Sequence, residues 1–218
     1  HILDTIETKT GASSFYLLGI GISRSQFERQ IKYLSKRYRI ISLGEYIERK
    51  TNRQNLSNCA VITFDDGFKN SALELLRNRF IPYTIFIMGD VFKKFFWRHR
   101  LYLLLDYAEV KGFKLKLLLD KETLSSLENS VEKRKTISLI LSNLRNLPLD
   151  KIESSLDELK EKLMIKKELR PEEIYINEED IKQLLKEGVC FGAHSVTHSD
   201  LTTLDYKDVL EEIVDSQK

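Results

Sequence analysis

Two runs rich in apolar and β-branched residues, "NCAVITF" (58–64) and "PYTIFIM" (82–88), frame a helical pattern, "NSALELLRNRF" (70–80). Strand, helix and strand at this spacing predict a βαβ unit, with parallel strands and a right-handed crossover. Parallel strands share one polarity, so their C-terminal ends gather at one edge, where catalytic groups of such folds collect. A chain containing this unit belongs to the α/β class.

The first run does not stop at an ordinary turn. "VITFDDGF" (61–68) drives it into two adjacent carboxylates, Asp65 and Asp66, and then Gly67. Crowding two like charges is costly unless something offsets them. A turn with the second aspartate capping a helix near Asn70 accounts for Gly67 and one aspartate, but not for the pair. A divalent cation accounts for both, because it is the largest local charge and keeps neighbouring carboxylates ionised.

A second strand-like run, "VCFGAH" (189–194), delivers "HSVTH" (194–198) to the same kind of strand end. His194 and His198 flank a three-residue gap, and on a tight turn that spacing can aim two imidazoles at one point. One aspartate would complete a two-histidine, one-carboxylate set with open positions. The other would stay off the metal as a general base.

Elsewhere the pattern is regular. Ser25 to Glu28 reads as a capping box before Phe27, Ile31, Leu34 and Tyr38, predicting a helix over 25–37. A strand is expected around 39–42, and a second capping box, Ser42 to Glu45, opens another helix. Asn177 with Asp180 starts a helix that Gly188 ends, and a last helix from about Asp205 carries Val209, Leu210 and Ile213.

The 218 residues suit one domain, here 1–218, with an insertion. Residues 91–176 read as that insertion: a helix over "VFKKFFWRHRLYLLLDYAEV", a short strand in "FKLKLLL" (113–119), then helical periodicity over 121–166. It holds 18 basic and 14 acidic residues, a net +4 against −2 for the remainder. Phe95, Phe96 and Trp97 read as core before substrate contacts, and His99, between Arg98 and Arg100, as a surface histidine. Cys59 and Cys190, each beside a strand expected to be buried, read as small hydrophobes rather than as a disulfide or zinc signature.

Lys plus Arg (35) nearly equals Asp plus Glu (33), which argues against nucleic acid as a partner and against strong attraction to an anionic membrane. No apolar stretch approaches the length of a spanning helix. The chain begins at His1 without a methionine or signal-like segment, so a portion of a longer product is expected.

"TFDDG" (63–67) and "HSVTH" (194–198) together resemble the first two motifs of the polysaccharide deacetylases, also called carbohydrate esterase family 4 or the NodB homology domain. "FERQIKYLSKRYRIISLGEY" (27–46) is similar to the family's early segment, and His1 to the end of its first strand. The resemblance implies a distorted (β/α) barrel, incomplete here, and hydrolysis that removes acetyl groups from N-acetylated sugars of a polysaccharide or oligosaccharide. By position, Asp65 would be the general base. Asp66, His194 and His198 would hold one divalent ion, zinc by preference, while Gly67 and Ser195 support the site.

The family's third motif, its Trp-lined wall and its Leu-x-His segment would fall beyond Lys218, with the general acid and part of the oxyanion site. "LRPEEIY" (169–175) does not supply the third motif. The resemblance implies an extracytoplasmic or membrane-associated setting. Two other readings share the fold: a catalytically inactive carbohydrate-binding relative, and a hydrolase of another non-peptide amide.

Overall fold

Three parallel strands organise the half of the chain that carries both motifs. Tyr83–Ile87 lies in the middle, with Ile62–Phe64 on one side and Cys190–Ala193 on the other. Ile62 stands opposite Tyr83, and Ala193 opposite Ile87. The central strand is the buried one: Tyr83, Thr84, Ile85 and the following Met88 are all covered. Each apolar side chain so covered contributes about 1.5–3 kcal/mol.

The computed structural model describes residues 1–3, 6–9, 11–72, 81–116 and 122–217. By its internal contacts the chain divides into two units. The first comprises His1–Ile2, Arg24–Lys94 and Arg170–Lys218; the second comprises Leu3–Ser23 and Phe95–Leu169. Among the described residues the strands form short sheets that do not close into a barrel, and no helix is long and apolar enough to cross a membrane.

In the first unit the run 58–64 is two strands, not one. Cys59–Ala60 pairs in parallel with Arg39–Ile40, whereas Ile62–Phe64 pairs with Tyr83–Ile87. The chain changes partner at Val61, so neither piece is buried on both faces; Ile62 is buried and Thr63 exposed. The run 189–194 departs similarly, since Val189 is buried but Cys190 is exposed. Cys190 is therefore not the small core hydrophobe expected, and both cysteines are free.

The expected capping boxes fare differently. The helix Arg24–Arg37 begins before Ser25, which therefore lies inside it rather than at its cap. The helix Leu43–Thr51 has Ser42 as its cap, accepting from the Glu45 backbone at 3.0 Å, but the Glu45 carboxylate turns instead to Arg39 and Arg49. Among the described residues a full reciprocal box forms where Asn177 and Asp180 start Glu178–Lys186, each side chain accepting from the other's backbone N–H. Gly188, at φ 84°, follows that helix. The helix expected over 70–80 is described only in its first turn, to Ala72; residues 73–80 lie outside the described residues.

The second unit is built on the helices Trp97–Tyr107, Ser130–Leu144 and Leu149–Lys162. A β-hairpin, Gly112–Leu115 with Thr123–Ser126, interrupts the helical periodicity expected from 121 onward; residues 117–121 lie outside the described residues. Leu101, Leu104, Ile137, Ile140, Leu156 and Leu159 fill the core. His99 is buried among the rings of Phe15, Phe96 and Tyr102, not on the surface, because its helix is covered on nearly every side, Leu101 through Leu105 included.

A polar knot closes this unit. Lys133, fully buried, donates from Nζ to Asp106 Oδ1 at 2.8 Å, to the Ala12 carbonyl at 3.0 Å and to Thr8 Oγ1 at 3.2 Å. Asp106 accepts in addition from the Ser13 and Ser14 hydroxyls and from the Ser14 backbone. Burial pulls the Lys133 ammonium below its usual pKa, and Asp106 opposes that pull.

Candidate metal centre

Outer strands of a parallel sheet lie about 9–10 Å apart across the middle strand. Residues that follow two such strands meet only if the chain turns back over the central strand's end. Two loops of the first unit do this.

After Phe64 the backbone passes Asp65 and enters the left-handed region at Asp66 (φ 67°) and Gly67 (φ 68°). Only glycine fits at position 67, because a Cβ there would lie 2.8 Å from Ile87 Cγ2. Gly67 thus lets the loop press onto the last residue of the central strand. The loop is fastened from beyond: the Gly67 carbonyl accepts from Ile176 N at 2.9 Å, and Lys69 N donates to the Ile174 carbonyl at 2.7 Å.

After Ala193 the second loop extends the ladder past the strand end. His194 N donates to the Ile87 carbonyl, and Gly89 N and Asp90 N donate to the carbonyls of Ser195 and Val196. Ser195 and His198 are both left-handed at φ 60°, and the Ser195 hydroxyl accepts from His198 N at 3.1 Å. Among the described non-glycine residues six have positive φ, and Asp66, Ser195 and His198 are three of them. Asp and His tolerate this region better than most; the serine is the more strained.

The two loops bring together Asp66, His194 and His198. Asp66 Oδ1, a buried oxygen, lies 3.4 Å from His194 Nε2 and 3.3 Å from His198 Nε2, and the two imidazole rings are 4.9 Å apart at an angle of 66°. One ligand atom from each residue can be chosen so that all three lie within 4.8 Å of one another. Tetrahedral zinc with bonds of about 2.0–2.1 Å sets its ligand atoms about 3.3 Å apart. The carboxylate–imidazole separations fit that spacing, and the nitrogen and oxygen donors suit zinc.

Asp65 is exposed where Asp66 is half-buried, and it is not one of the clustered three. His1 packs its ring on Phe68 at 4.3 Å.

Sequence reasoning missed one residue of this loop system. The Glu212 carboxylate, 8% exposed, accepts from the backbone N–H groups of Val196 and Thr197 and from the Thr197 hydroxyl. The signal was a charge three positions after the half-buried Val209, on the inward face of the helix Tyr206–Asp215.

Residues 143–218 match the family model for polysaccharide deacetylase. The match covers about the last third of the chain, which is thereby similar to the polysaccharide deacetylase family and consistent with a partial member of it. The matched segment contains the histidine loop, while Asp65, Asp66 and Gly67 lie upstream of it. No curated protein and no solved structure matches the chain.

Proposed function

We propose that the chain carries the site of a metal-dependent hydrolase that removes acetyl groups from N-acetylated sugars of a polysaccharide or oligosaccharide, on the polysaccharide deacetylase barrel. The observation that carries this reading is the placing of Asp66 Oδ1 within 3.3–3.4 Å of both imidazole Nε2 atoms. The match of residues 143–218 to the polysaccharide deacetylase model supports a carbohydrate substrate and an amide-hydrolysing chemistry.

Asp66, His194 and His198 would hold one divalent ion, zinc by preference, which when bound polarises a carbonyl and makes water more acidic. Asp65 stands at the same strand end with its carboxylate exposed, free of the ligand cluster, and takes the proton from the attacking water. Gly67 allows its loop to close over the sheet edge, and Ser195 braces the second loop through the His198 N–H.

The reading is tested by incubating the full-length protein with zinc and N-acetylglucosamine oligomers and following acetyl loss by mass spectrometry. Stepwise loss of acetyl groups that stops when zinc is chelated supports it. Unaltered oligomers, with hydrolysis of a cyclic imide or another amide instead, would overturn it.

A further inference from the structure

A carboxylate on the inner face of the C-terminal helix reaches the segment between the two histidines. Glu212 is the buried residue of Tyr206–Asp215, while the apolar Leu210, Ile213 and Val214 of the same helix are exposed. Burying a carboxylate is costly unless its oxygens are hydrogen-bonded, so this inversion calls for partners. Glu212 Oε2 accepts from Val196 N and Thr197 N, each at 2.9 Å. Its Oε1 accepts from the Thr197 hydroxyl, and the same hydroxyl lies 2.7 Å from Ser199 Oγ.

The opposite side of the loop is held as firmly. The carbonyls of Ser195 and Val196 accept from Gly89 N and Asp90 N at 3.0 Å each. Val196 and Thr197 are thus gripped by their N–H groups from the helix, and Ser195 and Val196 by their carbonyls from the loop after the central strand. The two histidines stand at either end of this gripped segment, and His198 has the left-handed backbone that turns it back toward Asp66.

We propose that Glu212 is a positioning residue, which pins the Val196–Thr197 backbone so that both imidazoles converge on Asp66; this rests on the metal-site reading given above. Its function is that of an acceptor for two amides. Glutamine at 212 retains an oxygen for them and can donate to the Thr197 hydroxyl, whereas alanine leaves both amides without their acceptor.

The experiment compares wild type, Glu212→Ala and Glu212→Gln in two measurements: zinc affinity by competition with a chromophoric chelator, and amide hydrogen exchange at Val196 and Thr197 in the metal-free protein. Groups that orient metal ligands through hydrogen bonds change metal affinity about 10–100-fold when removed, so Glu212→Ala is expected to weaken zinc by that factor. Glu212→Gln is expected to stay within about threefold of wild type, having kept the acceptor. Zinc affinity unchanged in Glu212→Ala, or lost equally in both variants, overturns the assignment.

Should the alanine variant fail to fold, Glu212→Asp replaces it; its carboxylate falls one methylene short of the amides and the same loss is expected. If wild type takes up no zinc, the metal-site reading fails, and exchange then judges Glu212 alone. Exchange at the two amides about tenfold faster in Glu212→Ala supports the pinning, and unchanged exchange overturns it.

Discussion

Asp66 and His194, more than a hundred positions apart in the chain, approach to 3.4 Å between Oδ1 and Nε2 because each follows a strand that pairs in parallel with Tyr83–Ile87. Parallel pairing on both flanks of one strand points both loops the same way. The left-handed turns at Asp66 and His198 then carry the side chains inward over that strand's end.

If Asp66 and the histidines hold the ion while Asp65 handles the proton, single substitutions should separate the two roles. Asp65→Asn should lower deacetylation by about 10²–10⁴-fold, the usual worth of a positioned acid or base, and leave zinc affinity within about twofold. His194→Ala or His198→Ala should weaken zinc itself by more than about 100-fold, beyond the range seen for outer partners. Calorimetric titration with zinc beside an acetate-release assay reads both; equal loss of metal in Asp65→Asn and His194→Ala would refute the division.

Gly67→Ala combines a left-handed backbone with a Cβ placed 2.8 Å from Ile87 Cγ2. The expected cost is about 1–3 kcal/mol of stability from the backbone alone, with the clash added, read as a lower denaturant midpoint. Zinc affinity should fall as well, since the loop must lift off Ile87.

In the second unit, Lys133 and Asp106 form a buried pair at 2.8 Å, with side-chain exposures of 0% and 12%. Removing one partner strands the other, so Lys133→Met should destabilise by about 3–5 kcal/mol in urea unfolding. Lys133→Met combined with Asp106→Leu should recover part of that loss, because no charge is left buried.

Tyr83 supplies a pH dependence. Burial, with a contribution from Glu187, raises its phenol from the ordinary 10.0 to about 12. Between those values the folded chain holds a proton that the unfolded chain has released. The contribution is therefore fully present below pH 10 and is lost as the pH rises through about 12, at most about 3 kcal/mol in all. Tyr83→Phe should flatten that part of the stability profile, and an ultraviolet titration of wild type should show one late phenol.

Local chemistry made several features readable in one dimension. The Asp65-Asp66-Gly67 strand end, the His194 and His198 gap and the Asn177–Asp180 cap each depend on residues within a few positions of one another, and the two strands read as parallel do pair so. Other features were misread for a common reason. His99 looked exposed beside two arginines, but its helix is covered on nearly every side. Cys190 looked buried, but among the described residues its strand lies at the edge of its sheet and the side chain is exposed. The run 58–64 looked continuous, yet it changes partner at Val61.

By itself the amino-acid order determined which residue types could hold a cation and that they would stand at strand ends, because side-chain chemistry and strand polarity are written locally. Only the tertiary structure decided that Tyr83–Ile87 lies between the two motif-bearing strands, and that Glu212 reaches the histidine loop. Both depend on which distant segments pack together, and that choice is made by burial of the whole central strand rather than by any short stretch.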